Sequence, residues 1–363
     1  MQTAFRGGRG YRSPNQELTQ AEKPVRPPEI HGPLPTSMKT FPIPRTDLTV
    51  SRIAYGCMKI GGSWDHAPLS AEIEKNARDA VSAALECGIN FFDHADIYTV
   101  GKSEEVFGRI LHTTPGLRDR IVLQSKVGIR FPNDTQHSGE PARYDFSYEN
   151  ITRSTEGILR RLQTAHLDLL LLHRPDPLAE PAEVARAFDA LHRAGKVRHF
   201  GVSNHTPGQI ELLRHHVRQP LVVNQLEFSL AQPALVVEGF LANRTGALTE
   251  ANLASGTLDY CRRHEILVQP WSPVGGGKLL RAATDTQPQH PAAKVVAELA
   301  EAKHTTPEAI LLAWILRHPA GMQPIIGTTQ PDRIRASAQA DEVTLSREEW
   351  YILLAAARGQ QVP

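Results

Sequence analysis

The chain has 363 residues, with 40 lysines and arginines against 39 aspartates and glutamates, a formal net charge of +1. That balance leaves no electrostatic footprint for nucleic acid or an anionic membrane surface, so a small-molecule partner is expected. No stretch is long and apolar enough for a membrane span, and the N-terminus lacks the apolar core of a secretory signal. Three widely spaced cysteines, Cys57, Cys87 and Cys261, form neither a CxxC pair nor a disulfide framework, which leads to an expected soluble, cytoplasmic protein with reduced thiols. The absence of GxGxxG, P-loop, HExxH and GxSxG motifs tells against a Rossmann dehydrogenase, a nucleotide hydrolase, a zincin and an α/β-hydrolase.

In chain order, residues 1–37 are rich in Pro, Gly and Arg and carry no periodicity, so they are expected to form a disordered tail ahead of a folded domain over 38–363. The segment MKTFPIPRTDLTVSRIAYG, opened by Met38, reads as a short hairpin followed by a strand. Further strands are expected at Ile53–Gly56, Ile89–His94, Ile121–Ser125, Leu167–Leu172, His199–Ser203, Leu221–Gln225, Ile266–Trp271 and Gln323–Gly327. Between them lie amphipathic stretches at Ala71–Glu86, Glu104–Leu111, Tyr148–Leu162, Pro181–Ala194, Pro207–Arg214, Ala292–Ala302 and Pro307–Leu316, several opened by Ser, Thr or Pro. Eight strands alternating with helices predict an α/β fold, a (β/α)8 TIM barrel with an N-terminal hairpin and extra C-terminal helices. The stretch VEGFLANRTGALTEANLASG, within 236–256, is too long for an ordinary connection. It is either a cap over the ligand rim or a solvated insertion.

Active sites of such barrels stand at the C-terminal ends of the strands. The second strand delivers Asp93 and, past the turn, Tyr98; the third delivers Lys126. The fourth, LDLLLLHRPDP, ends an apolar run in His173. A tyrosine is a poor proton donor near neutrality unless a cation stabilises its phenolate. Lys126 would supply that charge, Asp93 would hold the lysine, and His173 would orient a carbonyl oxygen. No side chain is a reductant, so such chemistry requires a hydride-carrying cofactor. His94 should face the opposite side of its strand as a packing residue. Arg174 and Asp176 either pair near the rim, or Asp176 caps a turn.

GINFFDHADIY, the lysine of LQSKVG, LLHRPDP, GVSN and VVNQLE together resemble the motifs of the aldo-keto reductase superfamily, from about Ser51 to Ala340. HADIY, LLHRPDPL, GKVRHFGVSN and PIIGT are similar to the bacterial YdhF-type oxidoreductases within it. The resemblance implies an NADP(H)-dependent oxidoreductase that reduces an aldehyde or ketone to an alcohol, or the reverse, with Tyr98 as general acid and base and no metal. It places the nicotinamide amide on Ser203, Asn204 and Gln225 and the ring against Trp271, where many relatives carry tyrosine. The 2′-phosphate falls to Arg333 and Thr328, beside Gly327 and Ser337, which stand where many members carry lysine and asparagine or glutamate. Ser272, Gly56 and Cys57 complete the implied cofactor set, and Met58 joins Tyr98 and His173 in the substrate pocket. Gly275–Gly277 would let backbone approach the cofactor diphosphate. A monomer or weak homo-oligomer is expected. Some relatives of this fold bind NADP and act mainly on a partner protein, so a sensor or regulatory subunit is the alternative; a barrel enzyme acting on a sugar or phosphate without nicotinamide is a further one.

Overall fold

The computed structural model describes residues 38–132, 139–241, 255–280 and 290–363. The expectation for 1–37 lies outside them, as does most of the expected 236–256 loop. The strands in chain order are β1 (Thr40–Pro42), β2 (Thr49–Ser51), β3 (Ala54–Gly56), β4 (Phe91–Asp93), β5 (Val122–Val127), β6 (Ile129–Arg130), β7 (Arg143–Tyr144), β8 (Leu167–Leu172), β9 (Val197–Ser203), β10 (Leu221–Glu227), β11 (Leu267–Trp271) and β12 (Ile325–Ile326). Eight of them make one parallel sheet in the order β11-β10-β9-β8-β5-β4-β3-β12. The sheet curls into a nearly closed barrel: across the seam, the Gln323 amide donates to the Val268 carbonyl at 3.1 Å. This is the (β/α)8 barrel the alternating pattern predicts.

Helices lie between the strands because their sequences start cleanly and most carry one apolar face; Pro307–Leu316, expected to be amphipathic, is instead apolar all round, with Ala309 to Ile315 all buried. Ser70, Ser147, Thr206, Thr306 and Ser346 each accept a backbone N–H of the first turn, and Thr206 and Ser346 form full capping boxes. The expected C-terminal helices are Pro331–Ala338 and Arg347–Arg358, the latter stacking Trp350 on Trp314 with ring centroids 5.0 Å apart.

The interior is ordered by the two-residue period of the strands. Hairpin residues Ile43, Leu48 and Val50 plug the N-terminal end against Phe91, Val122, Leu169, Leu171, Val223 and Leu267. Two positions further along β4, β5, β8, β10 and β11 stand Asp93, Gln124, His173, Gln225 and Gln269, so the wall that begins apolar ends polar. On β5, Lys126 follows Gln124 by the same step.

Three details differ from the sequence reading. β5 runs to Val127 rather than ending at Ser125, which puts Lys126 inside the strand. The hairpin β6–β7 stands over the C-terminal rim; each arm is two residues long, too short for alternation to announce. Residues Ala234–Leu241 form a helix, so the first five residues of the stretch read as a loop are helical; its sequence is apolar on every side and hides the 3.6-residue period.

Candidate active site

At the C-terminal end of the strands the chain encloses a cavity of about 640 Å³. On its floor, the Lys126 ammonium donates three hydrogen bonds: to Asp93 Oδ2 at 2.8 Å, to the His94 carbonyl at 2.8 Å and to Tyr98 Oη at 2.9 Å. Lys126 is wholly buried and Asp93 almost so. The other oxygen of Asp93, Oδ1, accepts from Gln124 Nε2 at 2.6 Å and from Gln225 Nε2 at 3.1 Å. Tyr98 opens a short 3-10 turn in which Thr99 and Val100 both hold left-handed backbone, φ 47° and 60°. A β-branched residue there is strained, and strain of this kind persists only where the surroundings over-determine it. The phenol ring lies at the Lys126 ammonium of β5, 4.7 Å from Nζ to the ring centre.

His173 stands beside the phenol, its ring edge-on at 5.9 Å between centroids. Burial, aided by the charges of Lys126 and Arg174, drives its pKa well below the ordinary histidine value, so the imidazole is neutral. Its Nδ1 is buried without a partner. Burial lifts the Tyr98 phenol above the usual tyrosine value, and Lys126 works against that lift. Burial also pulls Lys126 down, but Asp93 and Tyr98 together outweigh it and hold the ammonium above the ordinary lysine value. The phenol is therefore a proton donor at rest, with a fixed cation beneath its oxygen.

The remaining wall is built from the rims of β9, β10, β11 and β12. Ser203 Oγ donates to the Gln225 carbonyl at 3.0 Å, and Asn204, in left-handed backbone (φ 61°), donates from Nδ2 to Ser203 Oγ at 2.8 Å and the His173 carbonyl at 3.3 Å. The Trp271 indole donates to Asn204 Oδ1 at 3.0 Å, and the Arg174 guanidinium lies 5.5 Å from the Trp271 ring centre. Gly56, Met58, Ser272, Gly327, Thr328, Arg333 and Ser337 all line the same cavity. Among the expected cofactor and substrate-pocket residues Cys57 is the exception. It is fully buried, with Sγ 3.9 Å from the Tyr55 carbonyl, and only its backbone faces this region through a bond from its amide to the Asp93 carbonyl at 2.8 Å. Asp176 caps a turn, accepting from Phe146 N and Leu178 N at 2.9 Å each, and makes no pair with Arg174. Among the described residues no group of three or more His, Cys, Asp and Glu is placed to hold a metal ion, and no helix is long and apolar enough to cross a membrane.

The family model described as "Aldo/keto reductase family" matches residues 52–357. The chain belongs to the aldo/keto reductase family. It is 35% identical over 315 residues to the 6-dehydroglucose reductase of Agrobacterium fabrum, covering 87% of this chain and 97% of that protein. To oxidoreductase YdhF of Escherichia coli it is 38% identical, over 77% of this chain and 86% of that one. Its fold matches the glycerol dehydrogenase of Gluconobacter oxydans with a TM-score of 0.72 at 24% identity, covering 89% of this chain and 97% of that one. The aldo/keto reductases named here are oxidoreductases, and so is this chain's family.

Sequence reading of this aldo/keto reductase passed over Gln124 and Gln269, each wholly buried. The signal was present: on the inward-facing positions of these apolar strands IVLQSK carries Gln124 two residues before Lys126, and ILVQPW carries Gln269. It also passed over Trp64 and Ile129, which line the mouth of the cavity, Trp64 edge-on to Phe131 at 5.9 Å. Their contacts join segments far apart in the chain.

His94 faces outward from β4 against Phe107, ring centroids 4.7 Å apart, with neither ring nitrogen hydrogen-bonded. Burial, reinforced by Lys126, depresses its pKa from 6.5 to about 3. Between those values the unfolded chain binds a proton that the folded chain refuses, so stability rises with pH there and is fully present above about 6.5. His94→Leu is expected to flatten the acid side of a urea-midpoint-versus-pH curve; an unchanged slope would show that His94 contributes nothing to it.

Proposed function

We propose that the chain is an NADP(H)-dependent reductase that converts an aldehyde or ketone to an alcohol, or runs the reverse reaction, with Tyr98 as general acid and base. The observation that carries the reading is the run of contacts Asp93–Lys126–Tyr98, at 2.8 and 2.9 Å, ending beside neutral His173 on the cavity floor. The alternative of a sensor without turnover has no observation in its favour.

The donor set fits the cofactor. Ser203, Asn204 and Gln225 offer amide and hydroxyl groups suited to a carboxamide, and Trp271 offers a ring face. At Gly276, Gly277 and Gly327 an added Cβ would meet nothing within 4 Å, so backbone is bare where a diphosphate must approach. Arg333 makes no ion pair among the described residues and sits in the first turn of the Pro331–Ala338 helix, with Thr328 and Ser337 near it on the cavity wall. A guanidinium at a helix N-terminus matches a phosphate dianion. When bound, the cofactor supplies the hydride.

The chain's own residues do the rest. His173 offers its one N–H to the carbonyl oxygen and orients it. Tyr98 gives its phenolic proton to that oxygen, Lys126 takes up the charge left on the phenolate, and Asp93 keeps Lys126 in register. Met58, Trp64 and Ile129 add apolar side chains to the cavity wall. All three cysteines are free thiols, two of them buried, in keeping with a cytoplasmic setting for a monomer or weak homo-oligomer. The 6-dehydroglucose named for one relative belongs first in a carbonyl screen.

The test is a fluorescence titration with NADPH and NADH followed by that screen. NADPH is expected to bind the more tightly. Arg333→Met should weaken NADPH by roughly 10- to 100-fold, the worth of one or two charge-assisted hydrogen bonds, and leave NADH unchanged. Equal loss for both cofactors would remove Arg333 from the 2′-phosphate, and binding of neither to the wild type would overturn the proposal.

A further inference from the structure

The Asp93–Lys126–Tyr98 contacts rest on a second set that runs down the inside of the barrel. Gln124 on β5, Gln269 on β11 and Gln323 just before β12 are each wholly buried. Gln323 Nε2 donates to the Ser51 carbonyl of the β1–β2 hairpin at 2.7 Å, and Gln269 Nε2 donates to Gln323 Oε1 at 2.9 Å. Gln269 Oε1 in turn accepts from Gln124 Nε2 at 2.9 Å and from Gln225 Nε2 at 3.4 Å. Those same two nitrogens are the donors to Asp93 Oδ1.

The direction of this chain follows from its ends. A backbone carbonyl and a carboxylate only accept, so every amide between Ser51 and Asp93 has its nitrogen and oxygen assigned by its neighbours. Turning the Gln269 amide over would set nitrogen against the Gln124 and Gln225 nitrogens and oxygen against the Gln323 oxygen. Buried carboxamides are costly where they do not pair, and barrel interiors are ordinarily filled by branched apolar side chains. Three glutamines in line from the plugged end to the reaction floor therefore call for a role.

We propose that Gln269, itself held by Gln323, is a positioning residue. It sets the amides of Gln124 and Gln225, which pin the Asp93 carboxylate against Lys126, which in turn holds the Lys126 ammonium under the Tyr98 oxygen. Gln269 touches neither Asp93 nor Tyr98 and acts through the other two glutamines. The turnover part of the test rests on the reductase reading; the phenol titration does not.

The experiment compares wild type with Gln269→Leu, Gln269→Glu and Gln323→Leu in the full chain. The ionisation of Tyr98 is followed by ultraviolet difference titration against Tyr98→Phe, alongside kcat, KM and Tm. With Lys126 less tightly held, Gln269→Leu should move the Tyr98 titration up by about one pH unit and lower kcat roughly tenfold with KM little changed. Gln323→Leu, one bond further back, should move both in the same direction by less. Gln269→Glu is the rescue. Burial and the nearby Asp93 raise a carboxyl group's pKa there, and the neutral acid can accept from Gln124 and Gln225 and donate to Gln323. It should restore wild-type kcat at low pH and lose it as the pH rises; at the alkaline pH where the Tyr98 phenol ionises, the carboxylate is charged and should leave the phenol titration shifted upward as in Gln269→Leu. Gln269→Leu matching wild type in both readouts would overturn the proposal, and so would Gln269→Leu and Gln269→Glu failing alike at every pH with the same fall in Tm. If Gln269→Leu does not fold, Gln323→Leu and Gln269→Glu decide. Absence of turnover in the wild type would sink the reductase reading alone, because the phenol titration still decides the role of Gln269.

Discussion

Tyr98→Phe is expected to lower kcat for carbonyl reduction by about 10²- to 10⁴-fold, the usual worth of a positioned general acid, while NADPH affinity stays near wild type. Phenylalanine keeps the ring, and with it the edge-on packing against His173 at 5.9 Å. What it removes is one oxygen, one of the three acceptors around the Lys126 ammonium. Lys126 keeps Asp93 and the His94 carbonyl, so the floor should hold its shape and the loss should fall on proton transfer. Single-turnover rates and a cofactor titration on the same preparation separate the two. Turnover near wild type would take the acid–base role away from Tyr98.

Lys126→Met should remove turnover to a similar extent and also destabilise the protein. Methionine fills much the same volume, but it leaves the Asp93 carboxylate, which Lys126 meets at 2.8 Å inside the barrel, without its counter-charge. Breaking a buried pair by deleting one partner costs about 3–5 kcal/mol. Chemical denaturation checks this, and the double variant Asp93→Asn with Lys126→Met is the control. Neutralising both partners should recover much of the stability and none of the turnover. If the single variant is as stable as wild type, the pair does not hold the floor together. If the double variant recovers activity, the lysine is not part of the proton path.

Much of this architecture was legible in the chain because it is encoded locally. Strands buried on both faces read as apolar runs such as LDLLLL, and helices announce themselves by Ser or Thr caps that fold only with the residues three positions on. The polar residues Asp93, Lys126 and His173 stand out because each closes such a run, and a two-residue period says which way each points. The same period sends His94 outward, where Phe107 receives it. Boundaries were harder. The extension of β5 to Val127 depends on its pairing with β8, and the hairpin β6–β7 is stabilised by a partner strand rather than by its own pattern.

By itself the sequence determined the alternation of strands and helices, the short N-terminal hairpin, and the set of polar groups near the ends of strands β4, β5 and β8. These follow from hydrophobic period and caps, which act over a few residues. Only the tertiary structure decided that Gln124 meets Gln269 across 145 positions and Gln225 meets Asp93 across 132. It alone placed Trp271 on Asn204, turned Cys57 away from the cavity, and bent Thr99 and Val100 into left-handed backbone directly after Tyr98. Closing a barrel brings distant strand ends within hydrogen-bonding reach, and burial makes it costly for the polar groups there to stay unpaired.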